Sequence, residues 1–134
     1  MPFSAMFRQY VDAFNAGDDV AYSRFYAPDI VFRNGAGAAL VGARAVVEYY
    51  ARFRQSVERV MSVEAMLCAD TCLAAALASR FTILQDGTSF ANEVLNAGDR
   101  VEINSMALYE MAEGKFASIN ATTLRRTIIR KENA

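Results

Sequence analysis

Apolar side chains in the first part of the chain recur every three or four residues, which is the spacing of one face of a helix. The first set predicts a helix that ends near Asn15-Ala16-Gly17, and its members are Phe3, Met6, Phe7, Tyr10, Val11 and Phe14. A second, short helix is capped by Asp18 or Asp19 and closed by Pro28. A third follows Gly42, contains Val46, Tyr49, Tyr50, Phe53 and Val57, and is expected to end near residues 55–58.

The rest of the pattern predicts β-strands. Residues 30–32 form a short β-prone run that stops at the glycine-rich turn of residues 34–37. Four longer runs separated by turn sequences follow, at residues 60–69, 72–85, 101–111 and 116–130. Residues 88–95 fit either another strand or an extended loop. Helices first and an antiparallel meander afterwards indicate an α+β fold.

Composition and charge narrow the function. At 134 residues the chain fits one domain, 1–134, and its 54% apolar and 11% aromatic content suggests a lined cavity or a buried subunit interface. A net charge of −1 without a basic tract argues against a nucleic-acid partner. Arg52, Arg54 and Arg59 are interpreted as a solvated helix end. No apolar run is long enough to span a membrane and no signal peptide is visible, so we expect a cytoplasmic protein.

The chain contains no histidine, which removes the usual general base and every Ser-His or Cys-His nucleophile system. We expect neither a metal nor a cofactor, because Cys68 and Cys72 alone are too few ligands. These cysteines flank a predicted turn, where a cross-strand disulfide is one alternative. The preferred alternative is that both cysteines are reduced, buried thiols, as is usual in a cytoplasmic protein.

Several segments of the sequence resemble those of the nuclear transport factor 2-like superfamily, which includes SnoaL-like polyketide cyclases and ketosteroid isomerases. They are QYVDAFNAGD, FYAPDIVF, VGARAVVEYY and YEMAEGKFASI, spread over nearly the whole chain. The resemblance implies a cone-shaped α+β barrel with three N-terminal helices packed in a curved, mostly antiparallel sheet. It also implies a homodimer through the sheet, whose outer face is expected to carry Ser105, Ala107, Asn120, Thr122 and Leu124. Activity does not follow from the fold, because the superfamily contains several enzyme classes and non-enzymes.

Residues 10–34 resemble ketosteroid isomerase without a gap. The tyrosine that stabilises the dienolate oxygen in that enzyme falls on Tyr10, and two supporting tyrosines fall on Tyr26 and Tyr50. The proton-shuttling aspartate falls on Asn34 and a second, protonated aspartate falls on Met106. An amide cannot accept a proton at neutral pH, so steroid isomerisation by the known mechanism is not expected.

Other members of the superfamily match less well. The epoxide hydrolases have an asparagine that fits Asn34, but their last-strand aspartate falls on Ala121. The dehydratases need histidine. Whether the chain is an enzyme therefore stays open.

Strand alternation, with Met106 placed inward like its counterpart, predicts the lining of a pocket. The expected inward residues of the strands are Ala76, Ala78, Arg80, Asn104, Met106, Leu108, Ile119, Ala121 and Thr123, and the helices and first strand are expected to add Phe14, Phe32 and Tyr49. Arg80 has two interpretations. It binds a carboxylate, phosphate or enolate oxygen of a ligand, or it forms an ion pair with Glu64 or lies at the rim.

Two functions follow from these residues. The first is binding of a small, mostly apolar or amphipathic ligand, whose carbonyl or carboxylate is held by Tyr10, Asn34 and Arg80. In that case an isomerase or lyase would polarise a carbonyl, with Glu93 or Glu102 transferring the proton. The second is a non-catalytic dimeric binding or interaction module with a vestigial pocket.

Overall fold

The computed structural model describes residues 2–133, in which three α-helices precede most of the strands. The helices are α1 (Phe3–Asn15), α2 (Asp19–Ser23) and α3 (Ala43–Phe53), and a 3-10 helix (Lys131–Asn133) ends the described region. The strands are β1 (Tyr26–Arg33), β2 (Ala39–Val41), β3 (Val57–Cys68), β4 (Cys72–Ile83), β5 (Thr88–Phe90), β6 (Glu93–Leu95), β7 (Arg100–Ala112) and β8 (Lys115–Ile129).

The helices begin and end at residues suited to those positions. Gly17 follows α1 with φ of +68°, a conformation that favours glycine. Asp18 then caps α2, because its carboxylate accepts a hydrogen bond from the Ala21 amide at 3.1 Å. The ion pair between Asp19 and Arg54 joins α2 to the end of α3. In this way the short α2 keeps α1 and α3 close together.

Six strands form one curved sheet in the order β2-β1-β8-β7-β4-β3. The pairing of β1 with β8 is parallel, and the other four pairings are antiparallel. The sheet is open, with β2 and β3 at its edges, so it is a mixed curved sheet and not a closed barrel. Strands β5 and β6 form a separate hairpin. The α+β class, with three helices packed against a curved sheet, is confirmed.

Three predictions about local structure were wrong, and one short strand was not predicted. Pro28 lies inside β1 and not at the end of a helix; the β1–β8 register shifts between Tyr26 and Val31, so the missing N–H of Pro28 interrupts no regular ladder. The third helix ends at Phe53, and Val57 already belongs to β3. Strand β2 was missed. The predicted buried thiols are not buried, because Cys68 is exposed and Cys72 is half-buried; both are free, and Cys68 lies opposite Leu73.

The core lies between the helices and the inner face of the sheet. The inward positions of the central strands β4 and β7 are the odd-numbered ones, and they are Leu73, Ala75, Leu77, Ser79, Phe81, Ile83, Val101, Ile103, Ser105, Ala107 and Tyr109. Helices α1 and α3 pack their aromatic faces against them. Between residues 2 and 133, no helix combines the length and apolar character that crossing a bilayer requires.

Candidate functional site

A cavity of about 930 Å³ lies between α1, α3 and the inner face of the sheet. Its walls are mostly aromatic and aliphatic, and the exposed residues around its rim belong to the β1–β2 turn, the β5–β6 hairpin and β8. Of the predicted site and lining residues, the structure places these in the wall: Tyr10, Phe14, Phe32, Asn34, Tyr49, Tyr50, Ile119, Ala121 and Thr123. Residues from four separate parts of the chain therefore meet in one cavity.

Tyr10 and Tyr26 form a buried pair of phenols beside this cavity. Their hydroxyl oxygens are 2.7 Å apart, and the two side chains are 1% and 2% exposed. Tyr10 lines the cavity, whereas Tyr26 lies behind it. Burial raises the pKa of both phenols well above the ordinary value of 10.0, so both keep their protons at neutral pH. Each hydroxyl has one proton, and the shared bond uses one of the two.

Asn34 holds the β1–β2 turn in place. Its side-chain oxygen accepts hydrogen bonds from the backbone amides of Ala36 and Ala38, at 3.1 and 3.0 Å. Its Nδ2 donates to the hydroxyl of Tyr50 at 3.4 Å. The amide is thus committed to the turn and to Tyr50. At the position where ketosteroid isomerase has its base, this chain has a structural side chain.

Tyr50 and Tyr109 supply two further buried phenols. Burial is the main reason that the pKa of each is raised, while the nearby Arg59 guanidinium opposes this shift in both. Tyr109 was missed by the sequence analysis. It points inward from β7, and its ring centroid lies 4.7 Å from that of Phe7 and 6.3 Å from that of Tyr10.

Arg59 is the second residue that the sequence analysis missed, since it was interpreted as part of a solvated helix end. It lies on β3 and its side chain lines the cavity. The guanidinium carbon is 5.5 Å from the ring centroid of Phe14 and 5.1 Å from that of Phe81. Its Nη2 donates to the Ser79 hydroxyl at 3.2 Å, and its fully enclosed Nε has no hydrogen-bond partner.

The predicted orientation of β4 and β7 was wrong by one residue. The residues expected inside but found on the outer face of the sheet are Ala76, Ala78, Arg80, Asn104, Met106 and Leu108. The large apolar residues of both strands occupy the odd positions, and burying them turns the even positions outward. Ser105 and Ala107, expected outside, line the cavity instead. Arg80 is exposed, and Glu64 contacts Asn104 on the outer face rather than Arg80.

Neither of the two candidate proton carriers lies in the inner wall of the cavity. Glu102 pairs with Arg80 across the β4–β7 ladder and shares its outward orientation. Glu93 is part of the cavity rim, where its carboxylate lies 3.6 Å from the Arg130 guanidinium. Among the described residues, Glu93 is the one carboxylate in the cavity lining. Over residues 2–133, the inner wall therefore offers phenols and a guanidinium, which donate protons in hydrogen bonds, and no carboxylate that could act as a general base.

The sequence carried a signal for Arg59. Val57, Met61 and Val63 alternate along β3, and Arg59 occupies the same set of positions. An inward arginine follows directly once that alternation is extended through the helix end. Tyr109 would have followed in the same way from the odd-numbered apolar residues of β7.

Comparison with known proteins agrees with this architecture. The family described as the SnoaL-like domain matches residues 7–119. No curated protein matches the sequence significantly. A SnoaL-like polyketide cyclase from Agrobacterium tumefaciens superposes with a TM-score of 0.77 at 16% identity, over 92% of this chain and 91% of that protein.

Two other solved structures have the same fold. An epoxide hydrolase of the LEH-like type from M. tuberculosis gives a TM-score of 0.70 at 12% identity, over 87% of this chain and 78% of that protein. A computationally designed binder of 17-OHP gives a TM-score of 0.72 at 14% identity, over 90% of this chain and 93% of that protein. At these identities the similarity shows a shared fold alone.

Proposed function

Because the chain belongs to the family of SnoaL-like domains, we propose that it binds a small, mostly apolar molecule in the cavity between its helices and its sheet. The observation that carries this proposal is the buried Tyr10–Tyr26 hydroxyl pair beside an apolar cavity of about 930 Å³. Small-molecule sites commonly have volumes of roughly 300–1,000 Å³ and a few convergent polar groups in an apolar wall.

A ligand oxygen is expected to lie against the hydroxyl of Tyr10. When Tyr26 donates its proton to Tyr10, the proton of Tyr10 is free to point into the cavity. A carbonyl oxygen accepts that proton, and the surrounding rings exclude water and strengthen the bond. The ligand thus combines an apolar body with at least one oxygen acceptor.

Carbonyl polarisation is the limit of the chemistry that these residues support. Isomerase or lyase activity would also need a base near the bound carbonyl, and the cavity lining of residues 2–133 offers Glu93 alone, at the rim beside Arg130. Ligand binding is therefore the function we propose, and catalysis is the second candidate, favoured by the retained phenols.

Binding is tested with a naphthyl ketone and the matched naphthalene hydrocarbon, by thermal shift and titration calorimetry. The ketone should stabilise the protein and bind more tightly than the hydrocarbon. Tyr10→Phe should weaken ketone binding by about 2- to 10-fold, the effect of one neutral hydrogen bond, and leave hydrocarbon binding unchanged. If neither compound binds, nor any member of a library of steroids, polyketides and aromatic acids, the alternative of a vestigial cavity is correct.

Catalysis is tested by a steroid-isomerase assay on the Asn34→Asp variant. The introduced carboxylate would still accept the amides of Ala36 and Ala38, which stabilise its charged form and make it a weak base. We expect no isomerisation in the parent or in the variant. Turnover by either protein would contradict the proposal that the site only binds its ligand.

A further inference from the structure

The guanidinium of Arg59 is a positive charge in the cavity wall that no carboxylate neutralises. The ion pairs among the described residues are Arg44–Glu48, Arg54–Asp19, Arg130–Glu93 and Arg130–Asp99, and none includes Arg59. It donates to the Ser79 hydroxyl at 3.2 Å and to the Met61 sulfur at 3.7 Å, it faces the two aromatic rings, and the phenol of Tyr50 lies nearby. This leaves most of its five N–H donors without an oxygen acceptor.

A half-buried, unpaired charge needs a physical explanation. Taking a charge out of water is costly unless it is paired, and aromatic faces and one hydroxyl replace that hydration only in part. The neighbouring inward positions of β3, Val57 and Met61, are apolar. An apolar residue at position 59 would complete the core without this cost. We therefore infer that the charge is there to pair with an anionic group of a ligand.

The surroundings of Arg59 indicate what that partner is. The guanidinium carbon lies over the rings of Phe14 and Phe81, and both rings line the cavity. The guanidinium can donate two parallel hydrogen bonds to the two oxygens of a carboxylate. A phenol such as Tyr10 has one proton and can donate only one. Arg126 also lines the cavity but is exposed to solvent, where its charge is screened.

We propose that the cavity binds an apolar carboxylic acid in its ionised form, with the carboxylate on the Arg59 guanidinium next to Ser79. The proposal rests on ligand binding in this cavity and names the class of the ligand. The aromatic or aliphatic body of the acid occupies the space beside Phe14 and Phe32. Pairing then neutralises the charge that the unliganded protein leaves exposed to a mostly apolar wall.

Three probes of one shape test the charge directly on the parent protein. Naphthoate, its methyl ester and naphthamide share the ring system and differ in charge, and their affinities are measured by titration calorimetry. Naphthoate should bind about 10-fold or more tightly than either neutral compound, as expected for hydrogen bonds to a charged group. Equal affinities for all three would overturn the proposal.

Two matched variants locate the anchor. Arg59→Met removes the charge and keeps an unbranched, flexible side chain, and it should abolish the preference for naphthoate while the ester still binds. Arg80→Met makes the same change on the outer face of the neighbouring strand, opposite Val60, and should leave all three affinities unchanged. A preference that survives in Arg59→Met and disappears in Arg126→Met would place the anion at the rim and contradict the assignment to Arg59.

The outcomes separate this proposal from the one it rests on. Binding of the ester and amide without a preference for the acid removes the carboxylate and leaves ligand binding in place. Absence of binding by all three probes in the parent counts against both. The comparison on the parent protein is decisive even where a variant folds poorly, because it needs no substitution.

Discussion

The hydrogen bond between Tyr10 and Tyr26 joins the first helix to the start of β1, at a place where neither hydroxyl has access to bulk water. Tyr10 also packs edge-on against Phe116 at 5.0 Å and Tyr26 at 5.7 Å between ring centroids. Removing one hydroxyl keeps this packing and leaves the other hydroxyl in an apolar environment. Such a group costs more than the bond itself contributes.

A double-mutant cycle measures this bond. Tyr10→Phe and Tyr26→Phe should each lower the free energy of unfolding by about 1–3 kcal/mol, because each leaves one buried hydroxyl unpaired. The double variant should cost less than the sum of the two, with a coupling energy of about 1 kcal/mol. Urea denaturation of the four proteins gives the values. Strictly additive losses would show that the two hydroxyls do not depend on each other.

At the scale of elements, the positions of most helices and strands along the chain could be predicted from the sequence. Which side chains of the strands point into the core was predicted less well. The apolar spacing of α1 and the Asp18 cap are local properties, and the structure agrees with both. The orientation of β4 and β7 depends on what each strand packs against, and aligning Met106 with an inward aspartate reversed it. The large residues Leu73, Leu77 and Phe81 would have predicted the correct face, and with it the roles of Arg59 and Arg80.

Residues 88–95, which the sequence left as strand or loop, form the β5–β6 hairpin at the cavity rim. Phe90 lies 4.8 Å from Phe81 and 5.7 Å from Phe53, measured between ring centroids. The two turn residues, Ala91 and Asn92, have φ of +57° and +62°, the positive values of a tight hairpin turn. Asparagine tolerates this conformation and alanine does so at some cost, so the turn carried a weak sequence signal.

Asn92→Val should destabilise this hairpin by about 1–2 kcal/mol, because a β-branched side chain is strained at positive φ. Ser89→Val adds the same side chain at an exposed strand position of the same hairpin and should have little effect. Hydrogen exchange of residues 88–95 reports the change, with faster exchange in Asn92→Val alone. Similar exchange in both variants would mean that the turn geometry does not determine hairpin stability.

At the scale of the whole molecule, five tyrosines share a response to pH. Burial raises the pKa of Tyr10, Tyr22, Tyr26, Tyr50 and Tyr109 above 10.0. In the unfolded chain these phenols lose their protons near pH 10, whereas the folded protein retains them. The stability they contribute is therefore complete below pH 10 and is lost as the pH rises above it.

The free energy of unfolding should fall above pH 10 by about 1.4 kcal/mol per pH unit for each tyrosine that stays protonated. Urea denaturation across this range, with ultraviolet absorbance to follow tyrosinate formation, gives the slope. The Tyr10→Phe/Tyr26→Phe double variant should have a shallower slope. A parent protein whose stability is constant through this range would contradict the prediction.

The outer face of the sheet bears on the homodimer that the resemblance implies. Small alanines of β4 lie there beside Met106 and Leu108, which are each 39% exposed, and Leu124, which is 64% exposed. A second copy of the chain packed on this face would bury these side chains. Ser105 and Ala107 are no longer part of the expected interface, because they line the cavity.

The parent protein should sediment as a dimer of 14.7 kDa chains at micromolar concentration, and Leu108→Glu should convert it to a monomer. Val20→Glu, which adds the same charge at an 82% exposed position on α2, should leave the dimer intact. A parent that sediments as a monomer would remove the prediction of a dimer.

The parallel pairing of β1 with β8 also has a consequence for the order of folding. Strand β1 has two partners, the three-residue β2 and the last strand, β8. Contacts between residues so far apart in the chain form slowly, because a large loop must close before they stabilise anything. During synthesis, Tyr26 and Phe32 can therefore pair with β8 only after residues 116–119 have been made. The wall behind Tyr10 is complete only then. We therefore expect the cavity to be among the last parts of the protein to acquire its shape.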